Sequence, residues 1–397
     1  MNITQGNIFW KDGMEIKYSY PYLKQDKSCD ILVIGGGVSG AISAYYQAKQ
    51  GYKVIIIEKN LIGFNSTLEN IGAMYSKLDS INCVKRNTSE IKRLQSLFND
   101  AKLDLSQIVQ DMRESGFEVE YTECDYLNFS SKATGRFALS KIYDTECING
   151  EKINLVEQNE IFDIYSALEY KDKGVILNPY IFNQELVQML SQMPNVEVYE
   201  NTCAESINSK EREVEVQTTN RFKIHASKVI LATGVDLIKY LKEDMLDIYK
   251  TYNVVAKLST NVRPMSFVAK ENGTDRILRV TNEQVILSGE DIKRKLDNAS
   301  DIYEERQADG KYKKLYNVLS KLLNEDSFKI KNCFYGVFLQ TSDGLGIIDE
   351  IDDMPNVYCN LGVGKNGILQ NVIGAKMLKN IYGDCYTKDM YLFRISR

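Results

Sequence analysis

The chain has 397 residues, 44% of them apolar, with 49 basic against 54 acidic side chains and a net charge of −5. That is enough chain for two domains with real cores, and its acidic balance lacks the basic face a nucleic-acid protein needs. No apolar run reaches bilayer length, and the amino terminus has neither the basic region nor the apolar core of a secretory leader, so the expectation is a cytoplasmic protein with no membrane span.

The eight cysteines are scattered, with no CxxC and no metal-ligand spacing, and read as reduced, mostly buried thiols. His225 is the single histidine, so no histidine-rich metal site is expected, and it is assigned no role. Residues 1–29 show partial alternation at Trp10, Ile16, Tyr18, Tyr20 and Tyr22, which predicts a strand or extended arm packed on the body.

At 30–58 the sequence reads DILVIGGGVSGAISAYYQAKQGYKVIIIE. A β-branched run feeds a turn with Gly35, Gly37 and Gly40, a helix follows to Gln50, and a second buried strand ends at Glu58. Gly35 suits a tight turn, Gly37 a close approach to pyrophosphate, and Gly40 close packing of helix on strand. The unpaired N–H groups at the helix start, around Val38 and Ser39, favour a diphosphate. Glu58, eighteen positions beyond Gly40, would take a ribose hydroxyl, followed by Lys59. This stretch predicts a dinucleotide and leaves NAD and FAD both open.

Next, Ser66-Thr67-Leu68-Glu69 fits a capping box, with Ser66 as N-cap and Glu69 reaching back. Apolar residues at three-and-four spacing from 88 to 116 predict a long amphipathic helix, followed by alternating runs at 117–121 and 126–129. Residues 174–177 form a strand running into Asn178-Pro179 and a helix. Short strands at 196–199, 213–216 and 222–224 lead to a buried strand at 228–234, ending Ala-Thr-Gly, where a backbone can approach a nucleotide. After strands at 252–258, 266–269, 276–280 and 285–288 and a helix at 301–323, a last strand at 354–361 meets Gly362-Val363-Gly364-Lys365-Asn366-Gly367. Too little chain follows for another βαβ unit. That turn predicts a helix N-terminus aimed at an electron-rich group.

Residues 30–58, Ser66-Thr67, Asn178-Pro179, 229–234 and 362–367, in this order, resemble the D-amino-acid oxidase / glycine oxidase superfamily of FAD-dependent oxidoreductases, from about residue 28 onward. The resemblance implies an α/β fold with a discontinuous, glutathione-reductase-like Rossmann domain for FAD (30–87, 170–240 and 333–397). An inserted mixed-sheet α+β substrate domain would take 88–169 and 241–332. It also implies that Gly35, Gly37 and Gly40 meet the diphosphate and Glu58 the adenosine ribose. Ser66 and Thr67 would lie near diphosphate and flavin, Cys203 or Ala204 would offer backbone to the adenine, and Thr233 and Gly234 would line the adenosine side. Gly364, Lys365, Asn366, Gly367 and Ile368 would face the isoalloxazine.

The sequence departs from the family in two places. Five residues before Thr341-Ser342-Asp343, where the sarcosine-oxidase branch carries its flavin-linking cysteine, stands Gly336, so FAD is expected to be non-covalent. The stretch 279–291 is one residue shorter than a related RTTxDxRxxxGGED strand and has Gln284 in place of its second arginine.

The expected activity is oxidation of a small amine or amino acid by hydride transfer to flavin N5, with O2 or another acceptor downstream. A substrate carboxylate calls for a bidentate arginine; Arg279, then Arg276, are the candidates, with Tyr252 as a pocket wall. The alternatives are a 2-hydroxy-acid or polyol-phosphate dehydrogenase, and a non-catalytic flavoprotein subunit.

Overall fold

The computed structural model describes residues 17–148, 152–156, 163–242, 245–259, 266–294, 301–323, 327–380 and 388–397. Trp10 and Ile16 lie outside them, as does Cys385; the other seven cysteines are free thiols.

Two sheets organise the chain. The first has eight strands, in the order Ile347–Glu350, Val357–Leu361, Lys223–Leu231, Lys27–Ile34, Val54–Ile57 and Val196–Tyr199, with the hairpin Ala204–Ser209/Val214–Thr218 on the side of Lys223–Leu231. From Val357–Leu361 to Val196–Tyr199 every neighbour is parallel. Strands covered on both faces must be apolar at successive positions, and Val54–Ile57 is VIII with all four residues buried. One face packs on the helices Val38–Lys49, Thr88–Glu114, Pro179–Ser191 and Gly367–Met377, which share a single core with Ile31, Val33, Val54 and Ile56.

The predicted amphipathic helix is Thr88–Glu114, and its buried stripe runs from Leu94 to Met112. A capping box starts it: the Asn87 side chain accepts from the Glu90 N–H, and the Glu90 carboxylate accepts from the Asn87 N–H, both at 3.0 Å. This helix was expected in the substrate domain, but its stripe is buried in the nucleotide-side core.

The second sheet has nine strands, in the order Phe328–Gln340, Asp247–Leu258, Gln284–Arg294, Ile277–Val280, Phe267–Glu271, Tyr121–Ser130, Ser166–Leu177 and Ala73–Tyr75, with Ile153–Val156 beside Ser166–Leu177. The expected boundaries at 169/170 and 332/333 both fall inside single strands of this sheet, Ser166–Leu177 and Phe328–Gln340. In each the ladder is irregular close to that point, between Tyr170 and Gly174 in the first and between Ile330 and Asn332 in the second. One face of the sheet packs on the helix Asp301–Leu322 through Leu315, Leu319 and Leu322. The other carries Val255, Ile277 and Ile286 against Leu68 and Tyr75.

From 17 to 26 the N-terminal arm lies on the body without joining a sheet, and its last residues begin the strand Lys27–Ile34. Tyr18 donates to Glu185 at 2.9 Å, Tyr20 donates to Gln188 at 3.0 Å, and the Leu23 N–H donates to Thr202 at 3.1 Å. His225 sits half-exposed beside Glu213 at 3.1 Å.

Candidate cofactor and substrate site

A cavity of about 470 Å³ runs between the two sheets. Its nucleotide end is lined by Gly35, Gly37, Val38, Ser39, Glu58, Lys59, Cys203, Ala204, Thr233 and Gly234, and its middle by Ser66 and Thr67. Gly364, Lys365, Gly367 and Ile368 line the remainder together with Glu69, Thr251, Asn253, Ser288 and Val337. Gly40 and Asn366 are the two expected contacts that do not line it.

At the nucleotide end the geometry is set by backbone. Gly35 has φ +114°, and a Cβ there would sit 2.4 Å from the Ala232 carbonyl oxygen; a Cβ at Gly40 would sit 1.8 Å from the oxygen of Gly35. Gly40 therefore packs the helix start onto the turn, out of reach of the cavity. Glu58 is buried, with Oε2 accepting from the Gly36 N–H at 2.8 Å and Oε1 from the Asn60 N–H at 2.9 Å. Burial raises its carboxyl above the usual range, and those two N–H bonds oppose the rise. Each oxygen keeps a second lone pair for a ribose hydroxyl. Lys59 pairs with Asp236.

The helix start is partly satisfied from within: Thr67 Oγ1 accepts the Val38 N–H at 3.1 Å, and Ser39 donates to the Asn360 carbonyl at 2.6 Å. Gly234, φ +56°, faces open space, and the Thr233 hydroxyl is buried without a hydrogen-bond partner. Asn366 is turned elsewhere. Its amide exchanges hydrogen bonds with the backbone of Tyr75 at 3.2 and 2.7 Å, tying the glycine turn to the strand Ala73–Tyr75.

The far end is set by side chains. The expected capping box at Ser66 does not form. The short helix is Ser66–Glu69, its N-cap is Asn65 at φ +71°, and no side chain caps it. Glu69 instead turns to the strand Phe328–Gln340, where its Oε2 accepts the Val337 N–H at 2.9 Å. Gly336 permits that approach, since a Cβ there would sit 2.9 Å from the Cβ of Glu69. Glu69 Oε1 is buried without a hydrogen-bond partner. Burial pushes this carboxyl up to about 8, against the Val337 bond and the charge of Lys250. Lys250 is itself pushed down to about 8 by burial and then by Arg294, and its ammonium sits 3.5 Å from the centre of the Tyr335 ring.

Asn253 is fully buried, lines the cavity, and has no hydrogen-bond partner at either end of its amide. Lys365 donates to the Asp275 carbonyl at 2.5 Å and pairs with Asp291 at 2.9 Å. Burial lowers its ammonium, with Asp291 and Asp275 opposing.

The three expected substrate residues stand elsewhere. Arg279 is fully buried and donates to Glu120 at 2.8 Å; it lies on the cavity-side face of the sheet but beyond Ser288, which pairs with Ile277. Arg276 is clamped between Glu271 at 2.9 Å and Glu290 at 2.8 Å. Neither lines the cavity. Tyr252 misses by one residue. Successive strand side chains face opposite sides, so Tyr252 packs edge-on against Tyr312 of the helix Asp301–Leu322, and Asn253 takes the cavity face. Glu69 went unread because its spacing from Ser66 imitates a capping box, and Asn253 because no local pattern marks it.

A glycine turn between parallel strands, opening into a cavity roofed by a mixed sheet, is an arrangement suited to a dinucleotide. The chain belongs to the family of FAD-dependent oxidoreductases called DAO, whose profile matches residues 30–381. The D-amino acid dehydrogenase of Helicobacter pylori is 24% identical over 290 residues, covering 59% of this chain and 68% of that one. The Bacillus subtilis protein YhfW, whose name assigns it a Rieske 2Fe-2S centre, is 28% identical over 228 residues, or 56% of this chain; the match spans only 43% of that relative's length. Glycine oxidase from Geobacillus kaustophilus superposes with a TM-score of 0.75 at 18% identity, covering 94% of this chain and 99% of that chain, which establishes the shared fold.

The residues present fit the family's cofactor. Bare backbone at Gly35, Gly37, Gly234 and Gly364, the Glu58 carboxylate and the unpartnered Thr233 hydroxyl all line one cavity. Among the described residues no cluster fit to hold a metal is present, and no helix is long and apolar enough to cross a membrane.

Proposed function

We propose that the protein oxidises a small amine or amino acid, holding FAD non-covalently between its two sheets. The observation that carries this reading is the continuity of the cavity from the glycine turn and Glu58 to the polar wall of Glu69, Thr251, Asn253 and Ser288. Glu58 would accept the adenosine ribose, Gly35 and Gly37 would bring backbone to the diphosphate, and Thr233 and Gly234 would flank the adenosine. The start of the helix Gly367–Met377, with Gly364, would meet the redox-active ring, whose negative charge on reduction its dipole would favour. The first sheet and its helices thus form the cofactor side, and the second sheet closes over the substrate. The bound flavin supplies a two-electron acceptor. The chain's part is to orient the substrate Cα–H, to exclude water with Val337 and Ile368, and to leave the substrate nitrogen uncharged as hydride departs. The names of the relatives, D-amino acid dehydrogenase and glycine oxidase, agree with a nitrogen-bearing substrate.

Anaerobic titration of the yellow protein with amines, amino acids and 2-hydroxy acids tests the reading. Bleaching by a nitrogen-bearing compound is expected, followed by recovery on adding O2 or a quinone. Bleaching by hydroxy acids alone, or by nothing in the panel, would overturn it.

A further inference from the structure

We infer that Glu69 and Asn253 form a subsite for a substrate ammonium group, and that the enzyme prefers amines without a carboxylate over α-amino acids. The inference rests on the reading just proposed and narrows its substrate class. Both residues line the far end of the cavity, both are more than nine-tenths buried, and both keep polar atoms without hydrogen-bond partners: Oε1 of Glu69 and the whole amide of Asn253. Burying such groups unpaired is costly, and a structure that holds them at the wall of a cavity suits a ligand that completes them. An ammonium has three donors: one meets Glu69 Oε1, another the Asn253 carbonyl oxygen.

The charges at this end point the same way. A carboxylate substrate needs a cation with charge and donors to spare, and among the described lining residues here the cation is Lys365, whose charge is countered by Asp291 and two of whose three donors go to Asp291 and the Asp275 carbonyl. Arg276 and Arg279 are held by carboxylates off the cavity. Thr251 and Ser288 hydrogen-bond to each other at 3.1 Å. Lys250 faces Glu69 electrostatically from the strand Asp247–Leu258, without lining the cavity.

The arrangement also handles the proton that amine oxidation must shed. With Glu69 ionised, as its carboxyl is above about pH 8, one N–H bond of the ammonium breaks, an O–H bond forms at Glu69 Oε1, and the neutral amine left behind has the lone pair that hydride loss from Cα requires. A carboxyl held near neutrality by burial is suited to that exchange.

The test uses the flavin-loaded enzyme and two probes that share a tert-butyl group and carry opposite charge: tert-butylamine, which has no hydrogen on its α-carbon and so binds without reacting, and pivalate. Binding is read from the change in flavin absorbance at about pH 9, where Glu69 is ionised and an alkylamine still carries its proton. The wild-type enzyme is expected to bind tert-butylammonium about ten-fold or more tighter than pivalate, and Glu69→Gln to remove about ten-fold of that preference while leaving pivalate within about two-fold. Tighter binding of pivalate by the wild type would overturn the inference without recourse to any variant, as would an unchanged preference in Glu69→Gln. If amino acids bleach the flavin and pivalate wins, the ammonium subsite falls and the proposed function stands. If only hydroxy acids bleach it, both fall.

Discussion

The two ends of the cavity are built by different means. At the nucleotide end, Gly35 and Gly37 present backbone, and one side chain, Glu58, completes a unit drawn from about thirty consecutive residues. At the far end, Glu69, Asn253, Ser288 and Val337 come from four separate segments, and side chains do the recognising. The first kind of site is rigid because turn, strand and helix constrain one another; a common cofactor can be held that way. The second kind can change a residue at a time without disturbing the first, so specificity belongs there.

The comparison breaks most easily at the first end. With a Cβ at residue 40 only 1.8 Å from the Gly35 oxygen, Gly40→Val is expected to cost about 3 kcal/mol or more and to yield little folded, flavin-bearing protein, read by thermal unfolding and absorbance. A soluble yellow Gly40→Val protein of unchanged melting temperature would show that the turn tolerates what the geometry forbids.

Arg279→Ala comes next. The guanidinium is buried against Glu120, so its loss is expected to destabilise the fold by about 3 kcal/mol, with no change in the preference between tert-butylammonium and pivalate. A stable variant with altered probe binding would return Arg279 to the substrate site.

A smaller effect separates the ends by pH. The Glu69 carboxyl is raised from 4.5 to about 8, so the protonated form is the one the fold favours. Its contribution to stability is fully present below pH 4.5, declines as the pH rises, and is gone above about 8. Glu69→Gln, which cannot ionise, should therefore match the wild type near pH 4.5 and exceed it by a few kcal/mol at pH 9, measured by denaturant titration of the flavin-free protein. Equal stabilities at both pH values would contradict a buried carboxyl with one oxygen unpaired.

The smallest effects lie on one strand. Asn253→Ala should weaken tert-butylammonium by about five-fold, whereas Tyr252→Phe should leave binding of both probes within about two-fold. The reverse ranking would mean that the strand presents its other face to the cavity.

How much of this was legible follows from the same contrast. The spacing of Gly35, Gly37, Gly40 and Glu58 spells its own geometry, and the helix Gly367–Met377 stands where the sequence placed it, whereas the strands expected at 222–224 and 228–234 are one, Lys223–Leu231. The far end depends on registers between distant strands: Asn253 opposite Ser288, and Gly336 against Glu69. No local period encodes those. Local patterns misled there: a spacing of three made Glu69 a cap, and two arginines on a substrate-side strand passed for an anion site while carboxylates from Glu120, Glu271 and Glu290 held them. The helix Thr88–Glu114 shows the same limit, because its stripe fixes the buried face but not which core receives it.

The central claim is that one non-covalently held FAD spans both ends, and acid precipitation of the purified protein tests it most directly. The account predicts that about one equivalent of FAD per chain passes into the supernatant, identified by its mass and by the fluorescence gained on cleaving it to FMN. Flavin retained in the pellet, FMN in place of FAD, or a colourless protein that takes up no FAD when it is supplied would contradict it.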